Sequence, residues 1–518
     1  MNREWLAEMI ARHREEERTR PMVVGIIANL SGADRQQRQH LPLVADRRFR
    51  DVSYATLERL IHAIQPRFIG QVPDRLGANK NILIELRFAS LADFHPKRIV
   101  QRIPVLNQLH AQCNHTADPT LRHELEQQLQ AQLGEILHAP EFKALEATWR
   151  GLHHLLTELP DGVRVRVLNL SKRELWKELK KFKGMAWDHS RLFKRIYEEE
   201  FGTLGGQPFS LIIGDYSFSH QPDDCEVLEE MAKIMAACHC VFMAAASPHL
   251  FGLRSLLGAS GLRAPTRLFN AGEYAQWRNL RDAKDTVHLS LVLPRILLRP
   301  PYEITAEAGL AFHEQQSDPE NLLWGNPAYA VGADLMRAFA LHRGYAINAQ
   351  HPSGSSISHL PTSRMASEQG EVRSGLEYVF ANRSRQELEA LGFTTLTSNA
   401  GSGRIAYNGP LYLYQGSGKI QLPYLLSINH LAHVIRSWQR HLIGAVRSPK
   451  EYQEAVRKRF SCEMDPTAST LQQRIESPYS RIDFSFVEYD AWNLWDPDRC
   501  NAQIQVEAHD HHFHPIED

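Results

Sequence analysis

Between residues 209 and 248 the chain reads FSLIIGDYSF, then CEVLEEMAKIMAACHC, then VFMAAASP. Two apolar runs of strand length flank one of helical length and period, and few arrangements bury all three. The economical one makes the strands parallel neighbours in a sheet covered on both faces, with the helix as a right-handed crossover between them. The fold class expected is therefore α/β, of mixed α+β character, with mixed sheets flanked by helices. A second strand has a different signature: in DGVRVRVLNLSK, Val163, Val165 and Val167 alternate with Arg164 and Arg166, so one face is buried and the other wet. At 518 residues the chain is long enough for two or three domains.

Residues 1–19 read as a charged helix, and 20–112 as a compact β-α-β-α unit. The strand PMVVGIIANLSG opens that unit. Ser53 then caps a helix carrying Leu57, Leu60, Ile61 and Ile64, which Pro66 ends. NILIELRFAS is its second strand and HPKRIVQRIPVLNQLHAQ its second helix. A polar linker at 113–120 separates this small unit from a larger body over 121–445. The body starts with two helices that meet near Ala139 and Pro140 and ends with the long apolar-faced helix LPYLLSINHLAHVIRSWQRHLIGAV. Residues 446–518 form a C-terminal region with a late strand and a His-rich tail, which is expected to fray.

The charge balance excludes several classes of partner. Lys plus Arg number 59 against 60 Asp plus Glu, a net charge of −1, so no long-range field draws the chain to nucleic acid or to an anionic membrane. No apolar run reaches the ~18 to 20 residues that a bilayer span needs. The N-terminus lacks the apolar core of a secretory signal, so the cytoplasm is the expected location. The six cysteines form no CxxC pair, which points to reduced, buried thiols.

Several ordered blocks carry a family resemblance. EFKALEATWRGLHHLL, FGTLGGQPFSLIIGDYSF, FNAGEYAQWRNLRDAK, LVLPRILLRPPY, LLWGNPAYAVGADLMRAFA and ELEALGFTTL follow one another as in the TssC (VipB) large sheath subunits of type VI secretion systems, which residues 121–445 resemble. Residues 20–112 resemble the TssB (VipA) small subunit, through VVGIIANLSG, LVADRRFRDVSYATLERLIHAIQPRF and ILIELRFASLADFHPKRIVQRIPVL. The two are normally separate chains, so their union suggests a natural fusion or a divergent accessory sheath protein.

The resemblance implies a sheath-protein fold and a structural role in the bacterial cytoplasm: a contractile sheath of repeated protomers around an inner tube, driving that tube outward. The partners implied are other TssB- and TssC-type subunits and further copies of itself, an Hcp-type inner tube protein, baseplate components and a ClpV-type AAA+ disassembly ATPase. An accessory protein that caps or nucleates the sheath is the alternative reading, and a soluble α/β hydrolase a remote one.

No constellation supports catalysis, a cofactor or a metal. QGSGK lacks the first glycine of a phosphate loop, and Ile420 stands where a Ser or Thr would meet magnesium. Cys238, His239 and Cys240 have no second ligand pair at zinc spacing, and buried thiols explain them better. His509, His511, His512 and His514 read as a solvated tail. Asp215, Ser217 and His220 crowd within six positions with no nucleophile elbow, as a capped turn would. The residues singled out are packing or interface candidates. Trp149, Gly151 and Leu152 are expected in a helix-on-sheet core, with an interface role as the other reading. Ile482, Phe484 and Phe486 alternate along RIDFSFVEYD, a core strand or a strand exchanged onto a neighbour.

Overall fold

The structure, a computed structural model, describes residues 3–32, 42–77, 80–157, 159–184, 186–203, 205–257, 265–305, 310–314, 318–342, 356–357, 360–367, 370–398, 405–407, 411–415, 422–442, 449–461, 479–486 and 502–508. Its organising element is a seven-stranded sheet. In chain order the strands are β1 (Met22–Ala28), β2 (Arg50–Val52), β5 (Val163–Asn169), β6 (Phe209–Phe218), β7 (Val241–Ala246), β8 (Leu289–Leu293) and β9 (Phe393–Thr395). Their spatial order is β9-β8-β7-β6-β1-β5-β2. Every neighbouring pair is parallel except β2 against β5. A separate hairpin is made by β3 (Arg67–Pro73) and β4 (Asn81–Arg87).

β1 lies between β5 and β6, paired Met22↔Val163 on one side and Val24↔Leu211 on the other. Its seven residues MVVGIIA are all buried. Val24 and Ile26 enter the core on one side of the sheet, while Val23 and Ile27 enter the core on the other. A strand apolar on both faces cannot be satisfied at an edge or in a one-layer unit, and the centre of a covered parallel sheet is where it fits. The β-α-β-α unit expected over 20–112 therefore does not close on itself: its first strand completes the sheet of the body, and one continuous core joins the two segments.

Helices cover both faces. The first core holds α2 (Leu57–Ile64), α3 (Pro96–Arg102), α4 (Pro104–His115), α5 (Pro119–Leu137), α6 (Pro140–Thr157) and α10 (Ala328–His342). Residues 113–115, expected to be linker, complete α4, and the chain breaks at Thr116–Asp118 before Pro119 starts α5. The second core holds α7 (Lys172–Lys181), α8 (Pro222–Ala237), α9 (Ala275–Asp282) and α11 (Asn382–Ala390). The β6, α8, β7 passage gives the parallel pair that its pattern requires.

A third, smaller core brings the chain ends together. α1 (Arg3–Thr19) places Leu6, Met9 and Ile10 against α12 (Leu422–Leu442), α13 (Pro449–Phe460) and β10 (Tyr479–Phe486). β10 pairs antiparallel with β11 (Ala502–Ala508), a strand that follows the expected one and was not anticipated. Among the described residues no helix is long and apolar enough to cross a membrane.

Candidate functional site

The singled-out residues of α6 stand at a three-way junction of α6, α10 and β6. α6 starts at Pro140 and repeats apolar residues on one face, so Phe142, Leu145, Trp149, Leu152 and Leu156 are all buried. Trp149 is 0% exposed, and its indole N–H donates to the Leu30 carbonyl just beyond β1 at 3.1 Å. One side chain thus ties the body's helix to the N-terminal segment. Leu152 is also 0% exposed. At Gly151 a Cβ would stand 2.5 Å from Cδ2 and Cε2 of Tyr329, so only a bare Cα lets the ring of α10 lie on the backbone of α6.

Asn326 holds the junction from below, and sequence reasoning passed over it. The pairing of β6 with β7 slips between Ile213 and Ser217. Into that bulged stretch Asn326 Nδ2 donates to the carbonyls of Gly214 (3.0 Å) and Tyr216 (3.3 Å). Its Oδ1 accepts from the Ala328 N–H at 3.0 Å, capping α10, whose entry Pro327 presets. GNPAY and GDYS are therefore two halves of one joint. Burial raises the Asp215 carboxyl above the usual range, against the opposing pull of Thr148, Tyr329 and Asn326.

A buried ion-pair network is built on the same stretch of α6, from Glu146 and Arg150. Arg299 Nε meets Glu146 Oε1 at 2.9 Å, and its two terminal nitrogens meet the Glu314 oxygens at 2.6 and 3.1 Å. Arg150 also donates to Glu146, at 2.6 Å. Burial works against ionising Glu314, but His138 and Arg299 hold its carboxyl down at about 2. This network fixes the LLRPPY block to α6. Its two sides are 153 residues apart, which hid the pairing in the sequence.

The reactive-looking groups are not assembled. Ser217 is exposed, while the His220 ring packs on Tyr274 with centroids 4.2 Å apart. Cys238 and Cys240 flank a tight turn with His239 at φ 48°, and burial pushes both thiols up. Among the described residues no group of three or more His, Cys, Asp or Glu could hold a metal ion. Gly416, Gly418, Lys419 and the histidines from 509 to 514 lie outside the described residues. Ile482 is buried in the third core. β10 pairs with β11 of the same chain, with Phe484 opposite Ile504 and Phe486 opposite Ala502; the side chains of Phe484 and Phe486 lie outside the described set.

Comparison with known proteins finds two family matches along the chain. Residues 120–410 match the VipB family, described as EvpB/VC_A0108, tail sheath N-terminal domain. Residues 10–148 match the family described as type VI secretion system, VipA, VC_A0107 or Hcp2. The two matches share residues 120–148, which include α5 apart from Pro119 and the first half of α6. The type VI secretion system sheath protein TssC1 of Pseudomonas aeruginosa is 33% identical over 407 residues, 74% of this chain and 81% of that protein. The sheath protein TssB1 of the same organism is 29% identical over 89 residues, 17% of this chain and half of its own length. A solved anti-feeding prophage baseplate chain aligns over 71% of this chain and 78% of its own, with a TM-score of 0.37 and 10% identity. Because the VipB match spans more than half of the chain and the TssC1 alignment most of both proteins, this chain belongs to the VipB family of type VI secretion tail-sheath proteins and carries a VipA-family segment fused in front.

Proposed function

We propose that the chain is a structural, non-enzymatic protomer of a type VI secretion contractile sheath, in which both subunit types are delivered as one folded unit. The observation that carries this reading is β1. An interior strand of the sheet, β1, comes from the VipA-family segment, and the strands on either side of it come from the VipB-family segment. Fusion fixes the ratio of the two and makes their pairing intramolecular, at an effective concentration of roughly millimolar for a short connection. Such a unit polymerises through contacts that repeat without closing, as a helical sheath requires.

In this reading residues 20–112 do the work of a small subunit and 121–445 that of a large one. Trp149, Gly151 and Leu152 keep the protomer rigid, while Ile482, Phe484 and Phe486 belong to a hairpin that is open to strand addition. The partners are further sheath subunits, an Hcp-type inner tube, baseplate components and a ClpV-type ATPase, all in the cytoplasm. Sedimentation of the purified chain tests assembly. The expected result is concentration-dependent pelleting of most of the protein, alone or with separately purified TssB- and TssC-type subunits. A strictly monomeric boundary under every such condition contradicts the proposal.

A further inference from the structure

α12 is held in place through histidines on both of its sides. Toward the body, His433 Nε2 lies 3.1 Å from the Cys238 carbonyl in the turn after α8, and because a carbonyl only accepts, Nε2 carries the ring's proton. The His433 ring also packs on Phe201, whose carbonyl accepts from Arg440 of α12. Toward α1 the central residue is His13, 0% exposed, with its ring 5.1 Å from Trp438 and 5.0 Å from His441. Arg459 Nε of α13 donates to His13 Nδ1 at 3.0 Å, so that nitrogen is bare and the imidazole neutral.

The charges around this seam favour neutral rings. Arg459 and Arg20 face His13, with His441 beside it. Arg20, His430 and His239 face His433. Against these stand Glu17, 3.5 Å from His13 Nε2 and also paired with Arg20 at 3.1 Å, and Glu16, 3.0 Å from His441. Burial, then these cations, push His13 down to about 3; burial pushes His433 down to about 3 as well, with its Cys238 hydrogen bond acting the other way.

We propose that this seam is an acid-opened joint, in which protonation of His13 and His433 releases α1 and α12 from the body. A proton arriving at His13 Nδ1 would turn the Arg459 contact into two N–H donors facing each other at 3.0 Å, with a second positive charge in a dry site. A proton at His433 Nδ1 would charge a ring among groups that are, or become, cations. Both rings bind protons more weakly in the closed joint than in the open one, so closure is fully stable above pH 6.5, the ordinary histidine value, and weakens as pH falls toward 3. From pH 7.5 to pH 5 each histidine raises the opening equilibrium about thirtyfold, and the two together about a thousandfold. Opening uncovers Leu6, Met9 and Ile10 on α1, and Leu431, Val434 and Trp438 on α12.

Hydrogen exchange of the full chain at pH 7.5 and pH 5, corrected for intrinsic rates, tests this. The expected result is that α1 and α12 lose at least a hundredfold in protection at pH 5 while β6 and β7 keep theirs. His13→Asn combined with His433→Gln keeps an acceptor for Arg459 and a donor for the Cys238 carbonyl but cannot titrate, and should hold α1 and α12 protected at both pH values. Unchanged protection of α1 and α12 in the wild type, or loss only in step with β6, overturns the proposal whether or not the variant folds. So does a folded double variant that opens at pH 5 as the wild type does.

Discussion

Trp149→Ala is expected to lower unfolding stability by about 3 to 5 kcal/mol, the range for deleting a fully enclosed aromatic side chain. Two effects combine. The cavity opens among Leu145, Leu152 and the strands beneath, all closely packed, so it collapses poorly. The Leu30 carbonyl also loses its buried donor. Trp149→Phe separates the two, since it keeps most of the apolar volume and removes only the hydrogen bond; about 1 to 2 kcal/mol is expected. Guanidinium denaturation of both variants checks this. The Ala variant should also shed protection in β1 ahead of β7, because the lost bond is the one reaching the N-terminal segment. A Trp149→Ala loss below that of Trp149→Phe would refute the packing described.

The second large effect belongs to the ion-pair network. Glu146→Ala leaves Arg299, 5% exposed, with Glu314 as its remaining carboxylate and Arg150 unopposed on α6, and breaking a buried pair in this way costs about 3 to 5 kcal/mol. Replacing Arg299 as well, as in Glu146→Leu with Arg299→Met, should not recover that loss, because Glu314 then stays buried without its guanidinium and Arg150 without its carboxylate. The same network makes the fold acid-sensitive. The Glu314 carboxyl is held at about 2 against an ordinary 4.5, so its contribution is present above pH 4.5 and disappears as pH falls to 2, about 3 kcal/mol in all. Denaturation midpoints between pH 6 and pH 3 measure it. Equal acid slopes for wild type and Glu314→Gln would show that Glu314 is not the group responsible.

How far the fold was legible depended on how local each signal was. The β6, α8, β7 passage needed only its own residues, and the structure has it as read. β1 was legible as a strand, but its place was not, since its partners start at residues 163 and 209. The near-continuous apolar run MVVGIIA was the available clue, and burial at all seven positions bears out that such a strand does not belong in a small self-contained unit. β3 was missed because Pro66 reads as a terminator, although the chain pairs again from Arg67. In β11, Ile504 and Val506 alternate with Gln503 and Gln505, too short and polar a run to stand out.

At the junction, Trp149 and Gly151 announce themselves by size and by the absence of a side chain. Asn326 does not, because its value lies in a bulge 110 residues earlier. The Glu146 and Arg299 pair and the histidines of α12 were hidden for the same reason: each side chain is ordinary until the fold supplies its partner.

Electron microscopy of the purified full-length chain, alone and mixed with separate sheath subunits, tests the one-piece protomer most directly. The expected images show helical tubes containing the chain, with a label on it repeating along their whole length. Labels confined to one terminus would make it a cap, and particles that never exceed a single protomer would contradict a sheath role.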